Sequence, residues 1–190
     1  MNAEYRLNLP MQTLETADDR VKPVLDKALA QVGFIPNMYA GMANSPGLLN
    51  TYLSGYAAFR EQSGFTPPEQ EVVFLTISRE NGCDYCMAAH SMIADVMSKV
   101  PPDVTNAIRK GTPIADPKLA ALSKFAQTMV VHRGLPSRRD AEDFLAAGYT
   151  ERHILEIILA IAVKTLSNYS NHLLHTPVDE RFAGWRCSAA

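Results

Sequence analysis

The chain has 190 residues, 47% hydrophobic and 20% charged, which is the composition of a globular protein and not of a disordered one. Lys and Arg total 18 against 20 Asp and Glu, a formal charge of −2, and no basic run marks a nucleic-acid or anionic-membrane footprint. The opening residues MNAEYRLNLP do not read as a secretion signal, and the most apolar run, Ile154 to Val163, contains Glu156 and falls far short of the ~20 residues of a membrane span.

Length predicts one domain over residues 1–190, with no linker. Three cysteines are too few for a disulfide framework, so the expected compartment is the reducing cytoplasm.

The elements read as helices throughout. Val21, Val24, Leu25, Ala28, Leu29 and Val32 form one apolar face, closed by Gly33. Phe34 to Ser45, with Pro36, Asn37, Gly41 and Asn44, reads as a loop. A helix from Pro46 carries Leu49, Tyr52, Leu53, Tyr56 and Phe59 and stops near Ser63-Gly64. Thr66, Pro67 and Glu69 form a helix-start signal, and Asn81-Gly82 ends that helix. Cys83 or Asp84 opens the next, which runs to about Lys99 before Pro101-Pro102. Further helices are expected over 103–110, over 117–131, from Ser137 to Ala146, and from Thr150 to about His175.

Sliding the chain by 84 residues lays Thr66 on Thr150 and Cys83-Asp84-Tyr85-Cys86 on Ser167-Asn168-Tyr169-Ser170. The expectation is an internally duplicated helix-turn-helix unit. Its active half spans about 46–100, and its degenerate half, without the thiols, spans about 116–176.

Cys83 and Cys86 are three residues apart, near a helix start whose partial positive charge favours thiolate. Two thiols this close can form a disulfide and resolve a sulfenic acid. His90, one turn beyond Cys86, can take its proton. If the two helices pair antiparallel about Asn81-Gly82, Glu71 faces His90, orients it and raises its basicity. The alternatives are half of a zinc site, which lacks a second Cys/His pair, and two inert buried cysteines.

Glu71, Cys83-x-x-Cys86 and His90 at this spacing resemble the signature of AhpD-like alkylhydroperoxidases of the carboxymuconolactone decarboxylase superfamily. The resemblance spans about Ile35 to Phe182. Ile35-Pro36-Asn37, Asn168-Tyr169-x-Asn171-His172 and Pro177-x-Asp179 look like its peroxidase-related branch. It implies an all-α fold, self-assembly into dimers, trimers or hexamers, and thiol-dependent reduction of hydroperoxides in antioxidant defence.

By the same resemblance Cys86 is the peroxidatic thiol, Cys83 the resolving thiol, and His90 with Glu71 the proton relay. An external dithiol, dihydrolipoamide-like or thioredoxin-like, would regenerate the pair, and no bound cofactor or metal is expected. Tyr85 stands where well-studied members carry a relay histidine.

The competing readings are a redox sensor or disulfide-exchange protein without turnover, and a decarboxylase or lyase. The Cys-x-x-Cys pair argues against the latter. Tyr85 either places its ring or hydroxyl near the thiols or belongs to the core. His172 either approaches the site or is a structural histidine. His132, His153 and His175 read as surface or capping residues, and Cys187 as a bystander in the tail.

Overall fold

Proline at helix starts and glycine just past helix ends set most of the boundaries. The computed structural model describes residues 2–186, in which there are nine α-helices and no strand. They are α1 (Lys22–Val32), α2 (Asn37–Met42), α3 (Pro46–Gln62), α4 (Pro67–Glu80), α5 (Asp84–Met92), α6 (Pro102–Lys110), α7 (Pro117–Val131), α8 (Arg138–Ala146) and α9 (Glu151–Leu174). Gly33 closes α1 at φ 81°, a left-handed conformation that a residue with a Cβ adopts only at a cost. The fold class is all-α, as expected.

Three segments differ from the sequence reading. The stretch 34–45 is not wholly loop. Pro36 holds φ at −56° and its carbonyl accepts from Ala40 N, while the freed N–H of Asn37 donates to Asp179, so the one-and-a-half-turn α2 closes there. Beyond α5 the chain widens into a π-helical turn, Ile93–Ser98. Lys99 takes φ 55° and sends its N–H to Ala94 O, and Val100 N follows to the same carbonyl at 2.9 Å, so the last turn closes at longer steps before Pro101. A 3-10 helix, Glu180–Trp185, also follows Pro177, and its Phe182 packs edge-on to Tyr85.

The centre of the core is α4. Every residue from Glu69 to Ser78 is buried, so this helix is enclosed on all sides rather than amphipathic. It packs against α5, α6, α7 and α9. Its start is fixed by the expected capping box, in which Thr66 N donates to Glu69 Oε2 at 2.9 Å. Burying each large apolar side chain such as Phe74 or Leu75 stabilises the fold by about 1.5–3 kcal/mol. An aromatic stack, Phe125, Phe144 and Tyr149, ties α7 to α8 with centroids 4.4 and 4.6 Å apart.

Helix α9 lies along both α3 and α5. Its approach to α3 is close because residue 55 is glycine, where a Cβ would come within 2.8 Å of the Val163 side chain. Asn81 Nδ2 donates to Asn168 Oδ1 at 2.9 Å and pins the α4–α5 turn to α9. That pinning aims one face of α9, Lys164, Ser167, Asn168 and Asn171, at the start of α5. No helix among the described residues is long and apolar enough to cross a membrane.

Candidate redox site

The turn at Asn81-Gly82 reverses the chain, so α4 and α5 run back to back and Glu71 meets His90. Glu71 Oε2 lies 2.8 Å from His90 Nδ1, and the other carboxylate oxygen accepts from Arg60. Arg60 also donates to Tyr56 Oη at 2.7 Å and to Gln70 Oε1 at 3.0 Å. Glu71 is 0% exposed. Burial alone would push its carboxyl up, but His90 and Arg60 together hold it below the usual value.

An ionised carboxylate only accepts, so His90 Nδ1 carries a proton and Nε2 presents its lone pair. Burial and the charge of Lys164 hold the imidazole below its ordinary value, against the pull of Glu71. His90 is therefore neutral near pH 7 and able to accept a proton. The expected orientation by Glu71 is present, but the net shift in basicity is downward because burial outweighs the carboxylate.

Cys83 occupies the N-cap of α5 and Cys86 its first turn; both are free thiols, 1% and 2% exposed. Asn171 Nδ2 donates to both sulfurs, at 3.4 Å to Cys86 Sγ and 3.7 Å to Cys83 Sγ. Ser167 Oγ lies 3.9 Å from Cys86 Sγ.

The two thiols are pushed in opposite directions. Burial would raise Cys86, but the hydrogen bond from Cys83, the charge of Lys164 and the proximity of His90 bring it well below the ordinary thiol value. Cys83 is pushed far up, first by donating its hydrogen bond to Cys86 and then by burial. The pair is thus polarised, with Cys86 the more acidic sulfur and Cys83 the less.

Lys164 escaped the sequence reading. It is 1% exposed, its ammonium sits 5.5 Å from the Phe74 ring centroid, and its Nζ has no oxygen or nitrogen acceptor among the described residues. A lysine almost never sits fully buried without a partner. Here the neighbour on which its charge acts is the Cys86 sulfur. The available signal was a lone lysine inside the apolar run Ile154 to Leu166. Asn171 was visible only within the Asn168-Tyr169-x-Asn171-His172 resemblance, with no role at the sulfurs attached, and Arg60 gave no signal.

A cavity of about 90 Å³ reaches Cys86, His90 and Lys164 and is walled by Tyr39, Tyr52, Tyr56, Tyr85 and Phe182. Tyr85 lines it with its ring. Its hydroxyl, however, points away from the sulfurs, donating to Asp179 Oδ2 at 2.5 Å and accepting from Met38 N at 3.4 Å.

His172 is half-buried, stacks with Tyr169 at 6.1 Å, and lines a different pocket that it shares with Cys83. His153 and His175 do act at helix ends: His153 Nδ1 accepts from Thr150 N at 3.0 Å, and His175 caps α9 while bonding Ala3 O at 2.8 Å. No three His, Cys, Asp or Glu side chains among the described residues are grouped as metal ligands. Cys187 lies outside the described residues.

Residues 46–128, which hold both thiols, Glu71 and His90, match the Carboxymuconolactone decarboxylase family. A search of curated proteins finds no match. Among solved structures, the chain is similar to the alkylhydroperoxidase AhpD core of an uncharacterized peroxidase-related protein from Ralstonia eutropha JMP134. The TM-score is 0.81 at 22% identity, over 95% of this chain and 96% of that one.

A peroxidase-related protein from Silicibacter sp. TM1040 superposes with TM-score 0.78 at 20% identity, over 96% of both chains. The debrominase Bmp8, solved with 2,3,4-tribromopyrrole, gives 0.76 at 17% identity, over 96% of this chain and 97% of that one. These likenesses cover the whole helical arrangement, and the family match falls on the segment that builds the thiol site. The chain thus carries a segment that matches the Carboxymuconolactone decarboxylase family, set in a helical fold similar to that of the AhpD core.

Proposed function

We propose that the chain is a thiol-dependent peroxidase that reduces small hydroperoxides through Cys83 and Cys86. The observation that carries this is the polarised pair: a Cys86 sulfur made the more acidic of the two by the Cys83 thiol and Lys164, contacted by Asn171, and lining a small cavity that it shares with the neutral imidazole of His90.

In the reaction, His90 Nε2 takes the Cys86 proton and the thiolate attacks the terminal peroxide oxygen. The O–O bond breaks, His90 returns the proton to the departing oxygen as an alcohol or water, and Cys86 is left as a sulfenic acid. Cys83 attacks that sulfur, its proton leaves with the hydroxide as water, and the Cys83–Cys86 disulfide forms. An external dithiol supplies two electrons to reopen it. The reducing cytoplasm suits this cycle. Self-assembly is part of the same reading, because α9 exposes Leu155, Ile158, Tyr169 and Leu173, apolar surface that a second copy would cover.

A second reading, reductive dehalogenation of a small aromatic compound, is favoured by the ring-lined cavity and by the debrominase among the similar folds. The same thiol pair would supply the two electrons, releasing halide and forming the disulfide. The deciding experiment is turnover with dithiothreitol as donor, comparing hydrogen peroxide and tert-butyl hydroperoxide with a bromopyrrole. Peroxide consumption with disulfide formation is expected. Bromide release without peroxide turnover would transfer the assignment to the second reading. Disulfide formation without turnover of either would leave a redox sensor.

A further inference from the structure

Two separate cavities are lined by different members of the cysteine pair. The one of about 90 Å³ touches Cys86 and not Cys83. The other, about 200 Å³ and open to the surface, touches Cys83 and not Cys86. Tyr85 lines both. Three polar atoms on residues around the second cavity are buried without a hydrogen-bond partner: His172 Nε2, Thr176 Oγ1 and Asn171 Oδ1. Each is sealed from solvent and costs about 1–3 kcal/mol unpaired, so polar groups with unused hydrogen-bonding capacity lie directly behind the wall of this cavity. Burial holds His172 below the ordinary imidazole value, so it is a neutral base near pH 7.

We propose that this second cavity is the port through which an external dithiol reopens the Cys83–Cys86 disulfide, with His172 as the base that takes the proton of the attacking thiol. The inference rests on the reading of the two cysteines as a redox pair. The attacking sulfur bonds to Cys83 Sγ, the Cys83–Cys86 bond breaks, and Cys86 leaves as thiolate. That direction is favoured because the sulfur that Lys164 and Asn171 stabilise is the better leaving group.

The second thiol of the same dithiol then displaces Cys83, closing a cyclic disulfide in the reductant. Cys83 recovers its proton from His172, and the proton of the second thiol goes to solvent or Cys86. The dithiol has lost two electrons and the pair has gained them. Oxidant and reductant thus reach the pair by separate entrances and do not compete for one.

The test begins from protein oxidised with diamide, so that it does not depend on peroxide forming the disulfide. Reduction by dithiothreitol at pH 7 is followed by alkylation and mass analysis for wild type, His172→Gln and Asn2→Trp. Asn2 is an exposed residue at the rim, so a bulky side chain there narrows the mouth without entering the core.

The expected result is at least about tenfold slower reduction in His172→Gln, in line with loss of a general base, and several-fold slower reduction in Asn2→Trp. Single-turnover oxidation of the reduced proteins by peroxide should stay within about twofold of wild type. A wild-type reduction rate in either variant, or equal slowing of both half-reactions, overturns the port. Failure of the wild type to oxidise with peroxide, while diamide still forms the disulfide, would instead defeat the peroxidase reading and leave this test standing.

Discussion

Lys164, on the last long helix, places a buried ammonium against the Cys86 sulfur on a helix that begins 67 residues earlier in the sequence. The charge lowers the thiol and, at the same time, the neighbouring imidazole of His90. One lysine therefore favours both the nucleophile and the unprotonated base.

Lys164→Met tests this directly. Methionine fills a similar volume without charge, and Cys86 can protonate when the lysine is gone, so no uncompensated charge is left inside. Thermal stability should be unchanged or higher. Alkylation of Cys86 by iodoacetamide at pH 7 should slow by about tenfold or more, since each unit of pKa is a factor of ten in thiolate. A rate-against-pH profile that superposes on wild type would remove Lys164 from the site chemistry.

Glu71 sits between the Arg60 guanidinium and the His90 imidazole, with nothing of it exposed. Glu71→Gln keeps one acceptor for His90 but leaves Arg60 facing an amide, and it should cost about 3 kcal/mol at pH 7. The pH dependence follows from the directions of the shifts. The folded carboxyl is below its ordinary value of 4.5, so its contribution is complete above that value and is lost as pH falls through the lower folded value.

The folded imidazole of His90 is likewise below its ordinary 6.5, so the unfolded chain protonates first and stability also declines below 6.5. Urea midpoints at pH 7, 5 and 3 should fall stepwise in wild type, and the gap to Glu71→Gln should close below about 4.5. A gap that stays constant to pH 3 would mean that Glu71 is not held ionised by its partners.

The helices and the Cys83, Cys86, His90 and Glu71 grouping were legible because local rules govern them. Capping at Thr66, the stop at Asn81-Gly82 and the three- and four-residue spacings place those side chains on two consecutive helices. The other half of the site was not legible, because it arrives through tertiary packing. Lys164 and Asn171 reach the sulfurs only once Gly55 lets α9 close on α3 and Asn81 bonds Asn168. Arg60 likewise depends on how α3 lies on α4. The short α2 was hidden because its first N–H is satisfied by Asp179, 142 residues away.

Tyr85 occupies the place between the cysteines in sequence, yet its hydroxyl is bonded to Asp179. Burial and that carboxylate push the phenol up, so it is a fixed donor and takes no part in proton exchange near pH 7. Tyr85→Phe should lower stability by about 1.5–3 kcal/mol, the range for a hydrogen bond to a charged group. The Cys86 alkylation profile should stay that of wild type. A shifted profile at unchanged stability would place the hydroxyl in the thiol chemistry after all.

The opposite shifts of the two cysteines divide their roles, and single serine variants separate them. Cys83→Ser retains a hydroxyl that can still donate to Cys86, so the thiolate should persist with a modest rise in its pKa. Peroxide should then leave Cys86 as a sulfenic acid with no internal thiol to resolve it, trapped by dimedone as one adduct per chain on the peptide containing Cys86. Cys86→Ser removes the stabilised thiolate and leaves Cys83, whose thiol also loses the acceptor that held its proton. Burial still disfavours ionisation of Cys83, so this variant should react with neither peroxide nor dimedone at pH 7. Mass spectrometry of the two labelled variants decides the matter. Dimedone on Cys83 in Cys86→Ser, at a rate near that on Cys86 in Cys83→Ser, would show that the asymmetry does not govern which sulfur meets the oxidant.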